Sequence, residues 1–305
     1  MLAAIVSRLL HCAIPGMMAL AASITAPIHA AAEEIALRSR YAVGDRYALS
    51  LTVDTNTHVD ARGGARDSFR EKVELRYAAQ VEVLETDDTG LPRRERHEGV
   101  ELTSIRPEGT RELFVKGAAF DLTRRVDGGV EIESDGERIA PQVEKIVGDL
   151  LAHRIEYGIA ELLDPGHPVA IAERWELDAA RAREFLRARG IDTSSLDGPA
   201  EAVLEGGSEG PVLRYRIPIR EFAVEGLPKG ASRSDSGGRL EGEVQLDESG
   251  MHRARSHRSK LELDIRGLLS AAPQRAPAGS WHLRRSQSVD QRSETLVATR
   301  PAPSG

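Results

Sequence analysis

One set of residue types with the spacing of a metal site lies in the middle of the chain. His153 and Glu156 are three positions apart in a segment with helical periodicity, and Glu161 and His167 follow soon after. Imidazole and carboxylate groups at helical spacing are common zinc ligands. Glu161 falls on a different face of that helix from His153, however, and His167 lies beyond its end. We therefore expect a solvated polar helix face, with no metal and no other cofactor.

A second candidate for chemistry is the segment Ser234-Asp235-Ser236-Gly237-Gly238, which resembles the nucleophile loop of chymotrypsin-like proteases. A serine nucleophile needs a histidine base, an orienting carboxylate and an oxyanion hole. No histidine of this chain lies in a recognisable partner motif, and the flanking Gly230-Ala231-Ser232-Arg233 is typical of a mobile loop. The sequence therefore predicts a solvated hairpin loop and no catalytic residue.

The densest basic segment runs from His252 to Lys260. Its arginines Arg253, Arg255 and Arg258 form a candidate anion site, for a lipid head group or an acidic polymer. Such a segment can instead be one strand of a hairpin whose facing strand is acidic, and we favour that interpretation.

The alternative hairpin has a definite register. If Glu248-Ser249-Gly250 is a three-residue loop with glycine in the bulge position, Arg255 opposes Glu243 and His257 opposes Glu241. Opposite charges across strands stabilise a sheet by a few tenths to about 1 kcal/mol per pair. The interpretation fails if Arg255 and Glu243 lie on opposite faces.

The clearest helical pattern extends from Pro141 to Leu163, where apolar residues recur at steps of three and four. Gly148 and Gly158 predict a kink or a break into two helices. The helix either packs as ordinary core or acts as a lid over an apolar cavity, and the sequence does not separate these alternatives. If the cavity exists, we expect Val147, Leu150 and Leu151 to line it and a lipophilic ligand to fill it. A shorter helix is predicted over 179–189.

Most of the remaining chain alternates between apolar and polar residues, the signature of half-buried strands. One such run carries Val73, Leu75, Tyr77, Ala79, Val81 and Val83. Glycine- and aspartate-rich turns separate the runs. These patterns predict long antiparallel hairpins with one covered face.

The first 32 residues predict where the protein is located. Arg8 precedes an apolar run from Leu9 to Ile24, and small residues follow as far as Ala32. This is the pattern of a secretory signal peptide, so we expect cleavage near Ala32 and a periplasmic or secreted protein. Cys12 is the only cysteine; the exported chain would contain no disulfide and no thiol nucleophile.

Composition narrows the classes of partner. The full chain has a formal net charge of −7 and its aromatic content is 4%. An acidic exported protein is a poor candidate for general nucleic-acid binding, which relies on a basic surface. No segment after the signal peptide is long and apolar enough to predict a transmembrane helix. The expected partners are a lipid or another envelope protein.

Two similar octapeptides open the two halves of the chain. Residues 42–49 resemble residues 170–177 in residue class at all but the seventh position. The match suggests a duplication, with one half at 41–168 and the other at 169–300 within a single globular unit, followed by a tail at 301–305. The second half ends at Arg300, and the tail follows it.

These segments also carry a resemblance. Tyr41-Ala42-Val43-Gly44-Asp45-Arg46-Tyr47 and Pro168-Val169-Ala170-Ile171-Ala172-Glu173-Arg174-Trp175 resemble the paired motifs of a loose group of uncharacterised exported bacterial proteins. In the second motif Ala172-Glu173 replaces Gly-Asp. The order of elements also resembles the lipoprotein-carrier folds of the periplasm, which implies a half-barrel.

We therefore expect a mainly β (α+β) protein. Its long strands form a curved antiparallel sheet or half-barrel, and helices near 141–163 and 179–189 cover one side. The leading functional hypothesis is a non-catalytic binding or carrier protein of the cell envelope. The alternatives are a structural or protein-interaction component and, third, a hydrolase with an unrecognised site.

Overall fold

The computed structural model describes residues 34–37, 41–62, 68–125, 129–224, 231–246, 256–269 and 279–296. All of them belong to the unit Glu33–Gly305. The strands, in chain order, are β1 (Glu34–Ile35), β2 (Arg46–Arg62), β3 (Phe69–Thr86), β4 (Pro92–Arg106), β5 (Gly109–Glu112), β6 (Ala118–Arg124), β7 (Val130–Ser134), β8 (Glu137–Arg138), β9 (Val169–Ala170), β10 (Arg174–Glu176), β11 (Ile191–Ser195), β12 (Glu201–Glu205), β13 (Val212–Val224), β14 (Ala231–Gln245), β15 (Ser256–Leu269) and β16 (Gly279–Thr295).

Fourteen of these strands form one antiparallel sheet, curved and not closed into a barrel. Its main path is β10-β12-β13-β14-β15-β16-β2-β3-β4-β6-β7-β8, while β11 pairs with β13 and β5 with β4. The centre of the sheet therefore joins β16, near the end of the chain, to β2, near its beginning. The mainly β fold class predicted from the sequence is confirmed.

The predicted alternation defines the two faces of the sheet. Tyr77, Ala79, Val81 and Val83 of β3 are buried and Gln80 is exposed. The buried positions of the other long strands share this face, because residues paired across strands point the same way. We call it the inner face, and the opposite face the outer face.

Helical segments cover the inner face, as expected, but with different boundaries. The predicted helix at 141–163 is α1 (Pro141–Leu151), a break, a π-helical turn (Ile155–Ile159) and α2 (Ala160–Leu163). Gly158 adopts φ +98° within that turn, a conformation that disfavours a regular helix. The predicted helix at 179–189 is α3 (Ala179–Arg187), whose first turn is capped by the side chain of Asp178.

Two apolar clusters fill the space between sheet and helices. One, in the first half, includes Tyr77, Phe120 and Leu122 together with the buried residues of α1. The other lies mainly in the second half and includes Phe222 and residues of α3 and β10 to β15, with α2 of the first half packed against them. Of the helices that the structure describes, none is long and apolar enough to cross a membrane.

The predicted register of the basic hairpin is wrong. Glu243 pairs with Arg258, and Glu241 pairs with Lys260. This register differs from the predicted one by an odd number of residues, which exchanges the faces of β15. His257, predicted opposite Glu241 on the charged face, is buried beside Val244 instead. Arg253, Arg255 and the predicted loop lie outside the described residues.

The predicted loop around Ser234 is also wrong. Residues 231–238 form the first part of β14 and pair with β15. Ser234 donates a hydrogen bond to the carbonyl of Arg266 at 3.2 Å, and the buried Ser236 accepts one from the backbone of Phe222 at 3.3 Å. The two serines are therefore engaged in the sheet.

The two copies of the octapeptide adopt the same local turn. The Asp45 carboxylate accepts a hydrogen bond from the Ala42 backbone N–H at 2.9 Å. In the second copy the Glu173 carboxylate accepts one from the Ala170 N–H at 2.8 Å. The sequence match thus corresponds to a shared local structure, while duplication of the whole half stays a prediction.

Candidate functional site

The break between α1 and the π-helical turn places Arg154 in the core of the first half, where its side chain is fully buried. Its guanidinium donates to both oxygens of Glu95, at 2.7 and 3.1 Å. It also donates to Glu156 Oε2 at 3.2 Å and to the Tyr47 hydroxyl at 2.6 Å. We call these four residues, with Tyr41 and Gln291, the buried ionic network.

The outer members of this network complete the hydrogen bonding of Glu156. Tyr41 donates to its Oε1 at 2.9 Å, and the Gln291 amide donates to its Oε2 at 3.3 Å. The carbonyl of Gln291 accepts from the backbone N–H of Ile155 at 2.9 Å. The network therefore ties the irregular break to strands on both sides of the sheet centre.

The electrostatics of the network favour ionised Glu95. Burial alone would raise the pKa of this carboxyl, but Arg154 and its hydrogen bonds hold the pKa well below the usual value. Burial lowers the pKa of the neighbouring His97, whose Nδ1 lies 2.6 Å from the Tyr77 hydroxyl. A carboxylate clamped by arginine and a neutral histidine suit a structural role better than proton transfer.

A second polar group lies on the inner face of the second half. It consists of Arg189 and the two histidines on whose pKa its charge acts, His153 and His257, and we call it the inner cationic cluster. The Tyr215 hydroxyl oxygen lies 3.0 Å from His257 Nε2. Burial, followed by the charge of Arg189, lowers the pKa of His257 to about 3.

The third feature is a groove on the outer face. Two adjoining cavities of about 670 and 770 Å³ share Arg216 in their linings. The first extends across the sheet from Arg174 of β10 to Thr52 of β2. Arg216 alternates along β13 with the buried Tyr215 and Ile217, so the groove lies on the face opposite to the core. We call it the outer groove.

Charges of alternating sign form rows across the outer groove. Arg214, Glu243, Arg258 and Asp290 follow one another on successive strands. Their ion pairs are long: Arg258 lies 3.7 Å from Glu243 and 3.6 Å from Asp290. Exposed pairs of this kind contribute little to stability, so a ligand can replace them at low cost.

The residues predicted to line an apolar cavity lie in the core of the first half. Val147, Leu150 and Leu151 are at most 1% exposed and pack in its apolar cluster. None of them lines the outer groove. A lipophilic ligand beneath α1 would require this helix to move, and that cavity stays a prediction.

The other predicted residues are scattered. Arg258 lies in the outer groove between two carboxylates. Glu156, expected on a solvated helix face, is buried in the ionic network, because the chain breaks just before it. Glu161 and His167 are exposed. Within the described ranges, no group of three or more His, Cys, Asp or Glu residues is placed to hold a metal ion.

Sequence reasoning missed Arg154, Glu95 and Arg189. The position of Glu95 in β4 could have indicated that it is buried. Its side chain faces inwards as that of Leu102 does, although the register shift after His97 interrupts the alternation between them. No pattern in the sequence indicated that Arg154 is buried, since the direction of its side chain depends on the break after α1.

By its fold the chain is an open, curved antiparallel sheet with helices on its inner face. No protein-family model matches it, and its sequence matches no curated protein. Among solved structures, it is similar to lipovitellin, in a structure described as showing lipid–protein interactions, with 12% identity and a TM-score of 0.38 over 86% of this chain. The chain spans 27% of the length of lipovitellin. It is also similar to an outer-membrane channel from Pseudomonas putida F1, with 9% identity and a TM-score of 0.21, over 84% of this chain and 97% of the channel.

Proposed function

We propose that this chain is a non-catalytic binding protein of the bacterial cell envelope, exported through its first 32 residues, and that its ligand lies in the outer groove. The observation that carries this proposal is the pair of adjoining cavities of about 670 and 770 Å³. Binding pockets commonly have volumes of about 300–1,000 Å³.

The lining of the groove favours a ligand that carries charges of both signs. Arg216, Lys260 and Arg258 alternate with Glu241 and Glu243. A nucleic acid or an acidic glycan would meet carboxylates at every second position. An extended segment of a partner polypeptide can place basic and acidic side chains in register with these rows.

The dimensions fit such a segment. The first cavity crosses seven neighbouring strands, from β10 to β2, which corresponds to on the order of 30 Å at the usual strand spacing. An extended peptide of about nine residues has this length. The role is therefore that of an envelope protein that holds part of another protein.

Site-specific photo-crosslinking in a bacterial periplasm tests the proposal. The crosslinking amino acid replaces Ser288 in the outer groove or, as a control, Gln80 on the same face outside it. We expect a polypeptide adduct at Ser288 and none at Gln80. Arg216→Glu should abolish this adduct. Arg76→Glu is the matched control, because the two arginine side chains have similar exposure, 64% and 62%, and it should leave the adduct unchanged. Equal adducts at both positions would overturn the proposal.

A second candidate is the carriage of a lipophilic ligand beneath α1. The break at 152–154 favours it, because it separates α1 from the π-helical turn and makes α1 a distinct segment. Native mass spectrometry with organic extraction distinguishes the candidates. A stoichiometric lipid that survives Arg216→Glu and is lost in Leu150→Glu would support this second function.

A further inference from the structure

We infer that the second cavity of the outer groove binds an acidic side chain of the polypeptide segment held there, and that His58 makes this binding stronger as the pH falls. The inference rests on the function proposed above, because it names the chemistry of one part of the bound segment. The cavity has a volume of about 770 Å³ and adjoins the first cavity at Arg216.

The first observation is a row of basic residues in which the alternation of charges breaks down. Arg284 of β16 lies opposite His58 of β2, and His58 lies opposite Arg70 of β3. All three residues line the second cavity. In the first cavity, the row from Arg214 to Asp290 alternates in sign from strand to strand. In the second cavity, no carboxylate of the row separates the two arginines.

The second observation is a chain of hydrogen bonds along this row. Arg70 donates through Nε to Nδ1 of His58 at 3.1 Å. An imidazole nitrogen that accepts carries no proton, so the proton of His58 is on Nε2, which lies 2.9 Å from Asp60 Oδ1. Asp60 also accepts from Arg284 at 3.1 Å. Asp60 thus serves His58 and Arg284, and no carboxylate among the described residues forms an ion pair with Arg70.

The third observation is open space in the same cavity. Gly237, Asn56 and Ser286 contribute small, uncharged parts of its lining. No atom lies within 4 Å of a Cβ added at Gly237, which belongs to the row that contains Arg284. A ligand side chain therefore has room beside the basic residues. Hydrogen bonds between arginine and a carboxylate are strong, so an aspartate or glutamate of the bound segment would supply the partner that Arg70 lacks.

The hydrogen bond between Arg70 and His58 makes the cavity sensitive to pH. Histidine is the side chain that ordinarily changes charge between about pH 5 and pH 8. A proton on Nδ1 would turn this acceptor into a donor and release the exposed Arg70. The imidazolium would also add a positive charge between the two arginines. Both changes favour an acidic ligand, so its binding should strengthen as the pH falls.

The other charged groups near His58 on the neighbouring strands have partners of their own. Lys72 of β3 pairs with Asp54 at 3.4 Å. His282 of β16 lies 2.7 Å from Asp264. No hydrogen bond or ion pair among the described residues joins Lys72 or His282 to His58. Protonation of His58 therefore acts first on Arg70, Asp60 and, through Asp60, on Arg284.

Fluorescence anisotropy with short labelled peptides tests the inference on the purified protein. The probe is tetra-aspartate, and the matched control probe is tetra-asparagine, which has the same shape without the charges. We expect the wild-type protein to prefer tetra-aspartate and to bind it about fivefold more tightly at about pH 5.5 than at about pH 7.5, the effect of roughly one added charge nearby.

Variants separate the roles of the individual side chains. His58→Gln should bind as the wild type does at about pH 7.5 and lose the gain at about pH 5.5. His282→Gln is its matched control, because His282 lies on the same face outside the cavity, and it should keep the gain. Arg70→Gln should weaken binding about tenfold at about pH 5.5, whereas Arg76→Gln on the same strand should change it less than twofold.

Two results would overturn the inference. One is equal binding of tetra-aspartate and tetra-asparagine by the wild-type protein at about pH 5.5. The other is a gain on acidification that survives His58→Gln or disappears equally in His282→Gln. These failures are distinct from failure of the proposed function: a polypeptide adduct at Ser288 without tetra-aspartate binding would leave the groove function and remove the acidic subsite, and the converse result would do the opposite.

Discussion

Arg154 and Glu95 form a two-fold hydrogen-bonded ion pair across 59 positions of the chain, with N–O distances of 2.7 and 3.1 Å. The pair fixes the irregular end of α1 to β4 at a place where neither side chain reaches solvent. An isolated buried charge is costly, so each partner depends on the other.

Removal of Arg154 should therefore destabilise the protein strongly. Arg154→Met leaves the buried carboxylates of Glu95 and Glu156 without their cation, and we expect a loss of about 3–5 kcal/mol in the free energy of unfolding. Urea denaturation measures this loss. Lys145→Met is the control, because its pair with Asp149 is exposed and contributes little. A loss as small as that of the control would show that the network is not structural.

Acidic pH should destabilise the protein through His153 and His257. Their pKa values are about 3 in the folded state and about 6.5 when unfolded. Between these values the unfolded chain binds more protons, so this stability is present above pH 6.5 and is lost as the pH falls. We expect a loss of about 2 kcal/mol per histidine between about pH 8 and pH 5, most of it below pH 6.5.

The measurement is the free energy of unfolding as a function of pH in buffers without phosphate. His257→Gln removes one titrating group and should flatten the dependence by about one proton. The exposed His167 provides the control, since His167→Gln should leave the slope unchanged. A wild-type slope with the opposite sign would contradict the prediction.

Exchanging alanine and glycine in the two copies of the repeated turn should change the stability of the protein in opposite directions. Ala172 adopts φ +70° where the first copy has Gly44 at φ +88°. A left-handed conformation costs a non-glycine residue roughly 1–2 kcal/mol. Ala172→Gly should therefore stabilise the protein, and Gly44→Ala should destabilise it. No atom lies within 4 Å of a Cβ added at Gly44, so steric clash does not enter. Thermal unfolding checks both signs, and an identical shift in the two variants would refute the shared strain.

Gly242 should be intolerant of any side chain. A Cβ there would meet the Tyr215 ring at 2.6 Å from Cε1, and the ring would have to leave its place beside His257. We expect Gly242→Ala to cost about 1–3 kcal/mol. Gly237 on the same strand has no atom within 4 Å of an added Cβ, so Gly237→Ala should be close to neutral. Denaturant unfolding of the two variants makes the comparison, and equal costs would argue against the close contact.

The error in the register of β14 and β15 illustrates what charge patterns can and cannot determine. Carboxylates at every second position of β14 face basic residues in the predicted register and in the observed one, where Glu243 meets Arg258. Apolar alternation distinguishes the two registers, because Leu261, Leu263 and Ile265 are buried. The alternation of apolar residues should therefore have been given more weight than the charges in predicting the register.

The sheet and the covering helices could be predicted because burial imposes a period on the sequence. The inner polar groups could not, because they depend on contacts between distant segments. Arg154 and His153 are adjacent, yet one belongs to the buried ionic network and the other to the inner cationic cluster. Only the geometry of the break after Leu151 decides this division.

The pairing of β2 with β16 also constrains how the molecule assembles. Tyr47 pairs with Thr295 and Arg62 with Ser280, so the middle of the sheet joins segments more than 200 residues apart. A pairing between such distant segments slows folding, because a long loop must close before its contacts can form. During synthesis β2 can pair with β3, but its other edge stays open until the last described strand arrives. A nascent chain would thus expose a long unpaired strand edge, a site for mispairing with other chains, until β16 has been made and can pair with β2.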